Sequence, residues 1–145
     1  MSYQPSINAI ENKVKKLPSI ETLKMRSDFV RIAAKKRYWA TPGLILQVSE
    51  SPRETYDKSV IRIGYTASKK VGNAVKRNRA RRRLREIVKK LMPFQVESGN
   101  DFVVIARSKT LNRPFQDLLS DLELSLKKLG VWNDPVILYN KKDSI

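Results

Sequence analysis

The sequence predicts one domain of mixed α and β structure, built around a strand–helix–strand unit. Three observations predict it. Residues 43–49 and 60–67 alternate apolar and polar side chains, the period of a half-buried strand. Leu84, Ile87, Val88 and Leu91 recur at helical spacing, with Ala80 beside them. Phe102 to Ala106 is apolar on both faces, as a buried central strand must be. A length of 145 residues suits a single domain with a modest core.

Taken in order, residues 1 to about 20 mix Ser, Asn, Gln and Lys with Pro5 and Pro18 and show no period. A flexible or marginally helical extension is expected there. Ser27 has the chemistry of an N-cap, with Asp28 in the first turn and Phe29, Ile32 and Ala33 on one face, so a helix is expected over 27–36. Phe29 is either a core anchor or an aromatic lining a groove. Lys35, Lys36 and Arg37 precede Tyr38 and Trp39. That pattern fits a stacking site for single-stranded RNA and equally a helix terminus whose aromatics pack down. In the first strand Leu44, Leu46 and Val48 share one side, with Ile45, Gln47 and Ser49 on the other. A polar turn, 50–58, leads to the second strand. There Ile61, Ile63, Tyr65 and Ala67 oppose Arg62, Gly64 and Thr66, a face that is either solvated or open to a ligand. Gly72 permits unusual backbone angles and Asn73 can cap the helix that follows. Pro93 is expected to stop that helix after Leu91. The last helix opens at Asn112-Arg113-Pro114, carries Phe115, Leu118, Leu119, Leu122, Leu126 and Leu129 as its stripe, and ends at Gly130. Val131 to Ile145 reads as a loose tail, although Val136 to Tyr139 could pair as an edge strand.

The composition narrows function sharply. Thirty basic residues against fourteen acidic ones give a net charge of +16. The isoelectric point is near 10.3 and mean hydropathy is -0.46. This balance points to a polyanion, nucleic acid or an anionic membrane surface. Cysteine and histidine are both absent, which removes disulfides, thiol nucleophiles, the serine–histidine triad and most zinc sites. The carboxylates are scattered. Asp117 and Asp121 are one helical turn apart, but their leucine neighbours make a solvated helix edge the expected reading. No apolar run reaches the ~20 residues of a membrane span, and the N-terminus lacks a signal-peptide core. The expectation is a cytoplasmic RNA binder without side-chain chemistry of its own.

Most of the charge sits in one stretch. Lys69 to Lys90 holds eleven Lys or Arg and one acid, Glu86, a net +10. Drawn as a helix, it has an apolar stripe, and Asn78, Arg79, Arg82, Arg83, Arg85, Lys89 and Lys90 cover the rest. With a single acid present, ion pairs one turn apart cannot account for the composition. Arg77 falls near the apolar arc. Either the regular helix starts near Asn78, or Arg77 reaches sideways from a partly covered position.

The stretch RIGYTASKKVGNAVKRNRARRRLREIVKK, Arg62 to Lys90, resembles the signature of the bacterial ribonuclease P protein subunit. The likeness extends to Leu23–Phe29, to Asp101–Arg107 and to the leucine-rich helix. It covers residues 23–130, leaving 1–22 as an N-terminal extension and 131–145 as a C-terminal tail. The resemblance implies an α+β fold, a single-domain α/β sandwich like domain 2 of ribosomal protein S5, with a left-handed βαβ crossover. It implies as partners the catalytic RNA subunit and precursor tRNA, whose 5′ leader is removed by phosphodiester hydrolysis. Mg²⁺ would be held mainly by RNA, with none assigned to the protein, and the protein would be a monomer in the holoenzyme, away from any membrane. Ser68, Lys69, Lys70, Arg77, Asn78, Arg79, Arg81, Arg82 and Arg85 would face the RNA subunit, and Phe29 would line the leader groove. Some relatives have aromatics where this chain has Ala33 and Gln47. The groove, with Gln47 in it, would then either stack leader bases less or use Tyr38, Trp39 or Tyr65 instead. The alternatives are a ribosomal or assembly protein on a similar scaffold and a basic helix at a membrane surface.

Overall fold

The computed structural model describes residues 17–55, 57 and 59–134. The expectations for residues 1–16 and for the C-terminal tail beyond 134, including pairing of Val136–Tyr139, lie outside the described residues. The elements are β1 (Ser19–Thr22), α1 (Arg26–Ala34), β2 (Tyr38–Ala40), β3 (Leu44–Glu50), β4 (Val60–Thr66), α2 (Ala74–Gln95), β5 (Asn100–Ala106) and α3 (Phe115–Lys128). Short 3-10 turns occupy Arg53–Thr55 and Ser108–Leu111.

The five strands form one mixed sheet in the order β1-β4-β5-β3-β2. β4 runs parallel to both β1 and β5, and β3 runs antiparallel to both β5 and β2. β4, α2 and β5 thus form the expected strand–helix–strand unit, with β5 at the centre. Side chains alternate between sheet faces along each strand, and paired residues share a face. On one face Leu44, Leu46, Val48, Ile61, Ile63, Phe102 and Val104 meet the stripes of α2 and α3. Leu84, Ile87, Val88, Leu118, Leu122 and Leu126 there are fully buried. Each such aliphatic side chain contributes about 1.5–3 kcal/mol by leaving water. The other face carries a smaller cluster, Leu23, Ile32 and Val103, with Phe29 and Ile105 packed against it. α1 covers this end of the second face.

The helix ends differ from expectation in instructive ways. α2 begins at Ala74, with Asn73 as its cap: the Asn73 side chain accepts from the Lys76 N–H at 2.9 Å. Arg77 therefore lies inside the helix and escapes sideways, donating to the Gly72 carbonyl at 3.3 Å. Pro93 does not stop α2, which continues to Gln95. In a last turn, proline forfeits only one bond to the carbonyl four residues back, that of Lys89. Buried Met92 holds the turn to the core. α1 starts at Arg26 after Met25, which makes no side-chain cap, so Ser27 is not the cap. α3 ends as expected. Gly130, at φ +76°, donates to Lys127, and Val131 donates back to Leu126, the paired bonds of a Schellman closure.

Two strands lacked a local signal. Ser19–Thr22, placed by sequence in the N-terminal extension, pairs with β4 as β1. Tyr38–Ala40 pairs with β3 as β2. Both are short edge strands, and only Ile20 of β1 packs against the main core. Asp121 also departs from expectation. It is buried rather than on a solvated edge, gripped by Arg113 through Nε (2.6 Å) and Nη2 (3.0 Å).

Candidate nucleic-acid interface

α2 is fastened by its stripe, so the opposite side of the helix must face outward. The turn before it is shaped by Val71, buried as an anchor, and by Gly72, whose φ of +144° disfavours any side chain. This turn lifts Ser68, Lys69 and Lys70 into solvent beside the start of the helix. Asn78, Arg79, Arg82 and Arg85 are exposed along α2, while Arg77 and Arg81 are half-buried. The nine residues expected to face an RNA subunit therefore lie along α2 and the turn that leads into it.

What these cations touch decides how free they are. Among the described residues, no Lys or Arg of Lys69–Lys90 joins a salt bridge. Lys69, Lys70, Lys76, Arg79, Arg82, Lys89 and Lys90 have no side-chain partner there. Arg81 donates to Asn78 Oδ1 at 3.0 Å. Arg85 lies 5.2 Å from the centroid of the Tyr65 ring, a cation–π contact that leaves its N–H groups uncommitted. Arg83 differs. Its guanidinium donates to the carbonyls of Thr110 (2.6 Å), Leu111 (3.0 Å) and Arg113 (2.6 Å), tying α2 to the entry of α3. Burial and the neighbouring charge of Arg79 lower the Arg83 pKa.

The second face of the sheet holds the other candidate surface. One row across it reads Gly64, Val103, Gln47, Tyr38, and the next reads Thr66, Ile105, Ile45, Ala40. Phe29 descends from α1 onto this face, and its ring occupies the space a Cβ at Gly64 would need. Gly64 therefore permits the close approach of Phe29. Beyond Phe29, Gln47, Thr66, Ile45 and Ile105 are only half-buried and Tyr38 is 57 % exposed, so a trough runs between α1 and β2. Phe29, Gln47 and Tyr38 share it. Trp39 and Tyr65 do not, because both alternate to the opposite face. Trp39 sits there under Lys128 (5.4 Å), and Tyr65 sits under Arg85. Burial pushes the Tyr65 phenol up to about 12, against the opposing effect of Arg85.

Arg62, which sequence placed on a possibly open face, is buried in an ionic cluster. It meets Asp28 at 3.2 Å and Asp101 at 3.5 Å, while Arg31 bridges the same two carboxylates. Ser51 donates to Asp101 at 2.7 Å. This cluster fixes the outer end of α1 to the sheet. Asp28, Asp101 and Asp121 are thus all neutralised by arginine, and the described residues contain no cluster of carboxylates fit to hold a divalent cation. No helix among them is long and apolar enough to cross a membrane.

Comparison with known proteins gives the family and the fold. A family model described as ribonuclease P matches residues 17–130. The ribonuclease P protein component of Paramagnetospirillum magneticum is 50% identical over 111 residues, covering 77% of this chain and 84% of the relative. That of Ruegeria pomeroyi is 45% identical over 111 residues, covering 76% and 86%. Among solved structures, the Staphylococcus aureus RNase P protein superposes with a TM-score of 0.63 at 30% identity, covering 77% of this chain and 97% of that one. The Thermotoga maritima RNase P protein gives 0.59 at 25% identity, covering 75% and 94%.

Proposed function

Since this chain belongs to the bacterial ribonuclease P protein family, we propose that α2 and the turn before it dock on the RNA subunit while the trough on the other sheet face receives the 5′ leader of precursor tRNA. The chain is a protein component of ribonuclease P, an endoribonuclease of tRNA 5′ maturation, and its fold is the α+β fold of that family. Association with ribonuclease P RNA follows from that membership.

The observation that carries the residue assignment is the row of cations on α2 without protein partners. Lysines and arginines that neutralise phosphates release counterions, and that release drives binding. Arg79 and Arg82 present planar forks suited to phosphate oxygens. Ser68, Lys69 and Lys70 extend the row at the turn, and Arg77, Asn78, Arg81 and Arg85, which do have partners within the protein, flank it. In the trough, Phe29 and Tyr38 offer ring faces and Gln47 an amide, the chemistry that holds unpaired bases. Trp39 and Tyr65 belong to the helix-covered face and are not part of this groove. The protein positions RNA as a single copy. Hydrolysis with Mg²⁺ is in this reading the work of the RNA subunit; Asp101 and Asp121, the buried carboxylates among the described residues, serve to hold arginines.

Reconstitution tests this. The protein alone should leave precursor tRNA intact. Added to folded ribonuclease P RNA with Mg²⁺ at moderate salt, it should raise cleavage at the mature 5′ end. Absence of stimulation would overturn the assignment.

A further inference from the structure

Beside α2 the docking surface described above borders a feature whose far side, Lys109 and Asn112, it does not include. Shallow depressions adjoin one another around the 3-10 turn Ser108–Leu111. The first, about 430 Å³, is lined by Arg79, Arg82 and Arg83 of α2 and by Asn112 at the entry of α3. It shares Asn112 with a second depression that Lys109 also lines.

The cations along this path divide into two kinds. Arg83 is held by three carbonyls and Arg113 by Asp121, so both build the walls. Arg79, Arg82 and Lys109 are exposed, and their side chains have no acceptor among the described residues. Repulsion between Arg79 and Arg83 is a standing cost that an anion seated between them would relieve. Because Arg83 pins the 3-10 turn to α2, the two walls keep their spacing without a ligand, which lowers the entropic cost of binding one.

We propose that this path seats the phosphodiester backbone of an RNA strand, with Arg79 and Arg82 on one wall and Lys109 and Asn112 on the other. The RNA footprint then runs off α2 and around the 3-10 turn toward α3. This rests on the assignment of α2 to the RNA subunit and extends it to a separate element. Arginine and lysine supply charge, and the Asn112 amide donates to phosphate oxygen or sugar.

Two variants with the same change in charge separate local contact from long-range attraction. Lys109→Glu lies in the path. Lys128→Glu lies at the far end of α3, beside Trp39. Affinity of the full chain for ribonuclease P RNA is measured across a salt series. Lys109→Glu should weaken binding by roughly tenfold at moderate salt and lower the slope of log affinity against log salt by about one. Lys128→Glu should leave the slope unchanged. Equal losses in both variants, with unchanged slopes, would overturn the proposal. Lys109→Ala gives the same slope test if the glutamate variant does not fold. A wild-type protein with no salt-sensitive affinity for this RNA would instead overturn the assignment of α2, and this extension with it.

Discussion

Replacing Gly64 by alanine tests whether the seat of Phe29 on the sheet holds α1 in place. Gly64 does not have a left-handed φ, so alanine meets no backbone penalty. Its Cβ would meet the Phe29 ring at Cε1 and, 2.5 Å away, at Cζ. Carbon atoms sit comfortably about 3.5–4 Å apart, so the ring must retreat by about 1 Å or more. Phe29 is half-buried and can retreat toward solvent, at the expense of its contacts with the Leu23–Ile32–Val103 cluster. Overpacking of this kind costs about 1–3 kcal/mol. In a Phe29→Ala background the clash is gone. The methyl group then acts only by restricting the unfolded chain, a gain of about 0.4–1 kcal/mol. The two substitutions should therefore couple by about 1.4–4 kcal/mol, the sum of that cost and that gain. Urea unfolding of the four proteins, read as midpoint shifts at constant slope, measures that coupling. If Gly64→Ala costs the same in both backgrounds to within about 0.5 kcal/mol, the ring does not rest on Gly64 and the account of α1 is wrong.

Other consequences can be measured separately. Leu84→Ala should cost about 2–4 kcal/mol in the same unfolding assay, because Leu84 is fully buried between α2 and the sheet; a change under about 1 kcal/mol would contradict that packing. Arg82→Ala should lower the salt slope of RNA-subunit binding by about one with little change in stability, and an unchanged slope would deny it a phosphate contact. Phe29→Ala should weaken binding of leader-bearing precursor more than mature tRNA, whereas equal losses would leave Phe29 a packing residue only. Alkaline titration of phenolate absorbance should show one tyrosine ionising late, near pH 12, and lost in Tyr65→Phe. The sign of the linked stability follows. The unfolded phenol, near pH 10, gives up its proton first, so the Tyr65 contribution is complete below about pH 10 and lost as pH rises toward 12.

The strands and helices that bury a whole face were legible in the residues, because periodicity reports burial. β3, β4 and the stripes of α2 and α3 announced themselves this way, and β5, buried on both faces, by an unbroken apolar run. Edge strands bury little and leave no period, so β1 and β2 were invisible. That blindness had a consequence at the candidate site. Without β2, nothing showed that Tyr38 and Trp39 must point to opposite faces. Tyr65 was different: its alternation with Ile61 and Ile63 already placed it on the helix-covered face, away from Gly64. The ionic cluster was hidden for another reason. Asp28 and Arg31 are one helical turn apart, but Arg62 and Asp101 are distant from them and from each other in sequence; the parallel pairing of β4 with β5 and the packing of α1 on the sheet bring the four together. Within the basic stretch, Arg79 and Arg83 read alike. Their separation into a free cation and a wall-building one depends on the 3-10 turn, which has no helical period of its own.

The uncompensated cations of α2 give salt two opposed effects on this molecule. In the free protein, ions screen the repulsion among these charges and should favour the folded chain. In the assembled enzyme, the same ions compete with the protein for RNA phosphate and favour separation. The RNA therefore acts on the protein as a condensed counterion. It is most effective at low ionic strength, where the protein alone is under the greatest electrostatic stress. Bound RNA then adds to folding stability with the logarithm of its concentration relative to Kd, and the conditions that isolate the protein most comfortably are those in which it is least able to find its partner.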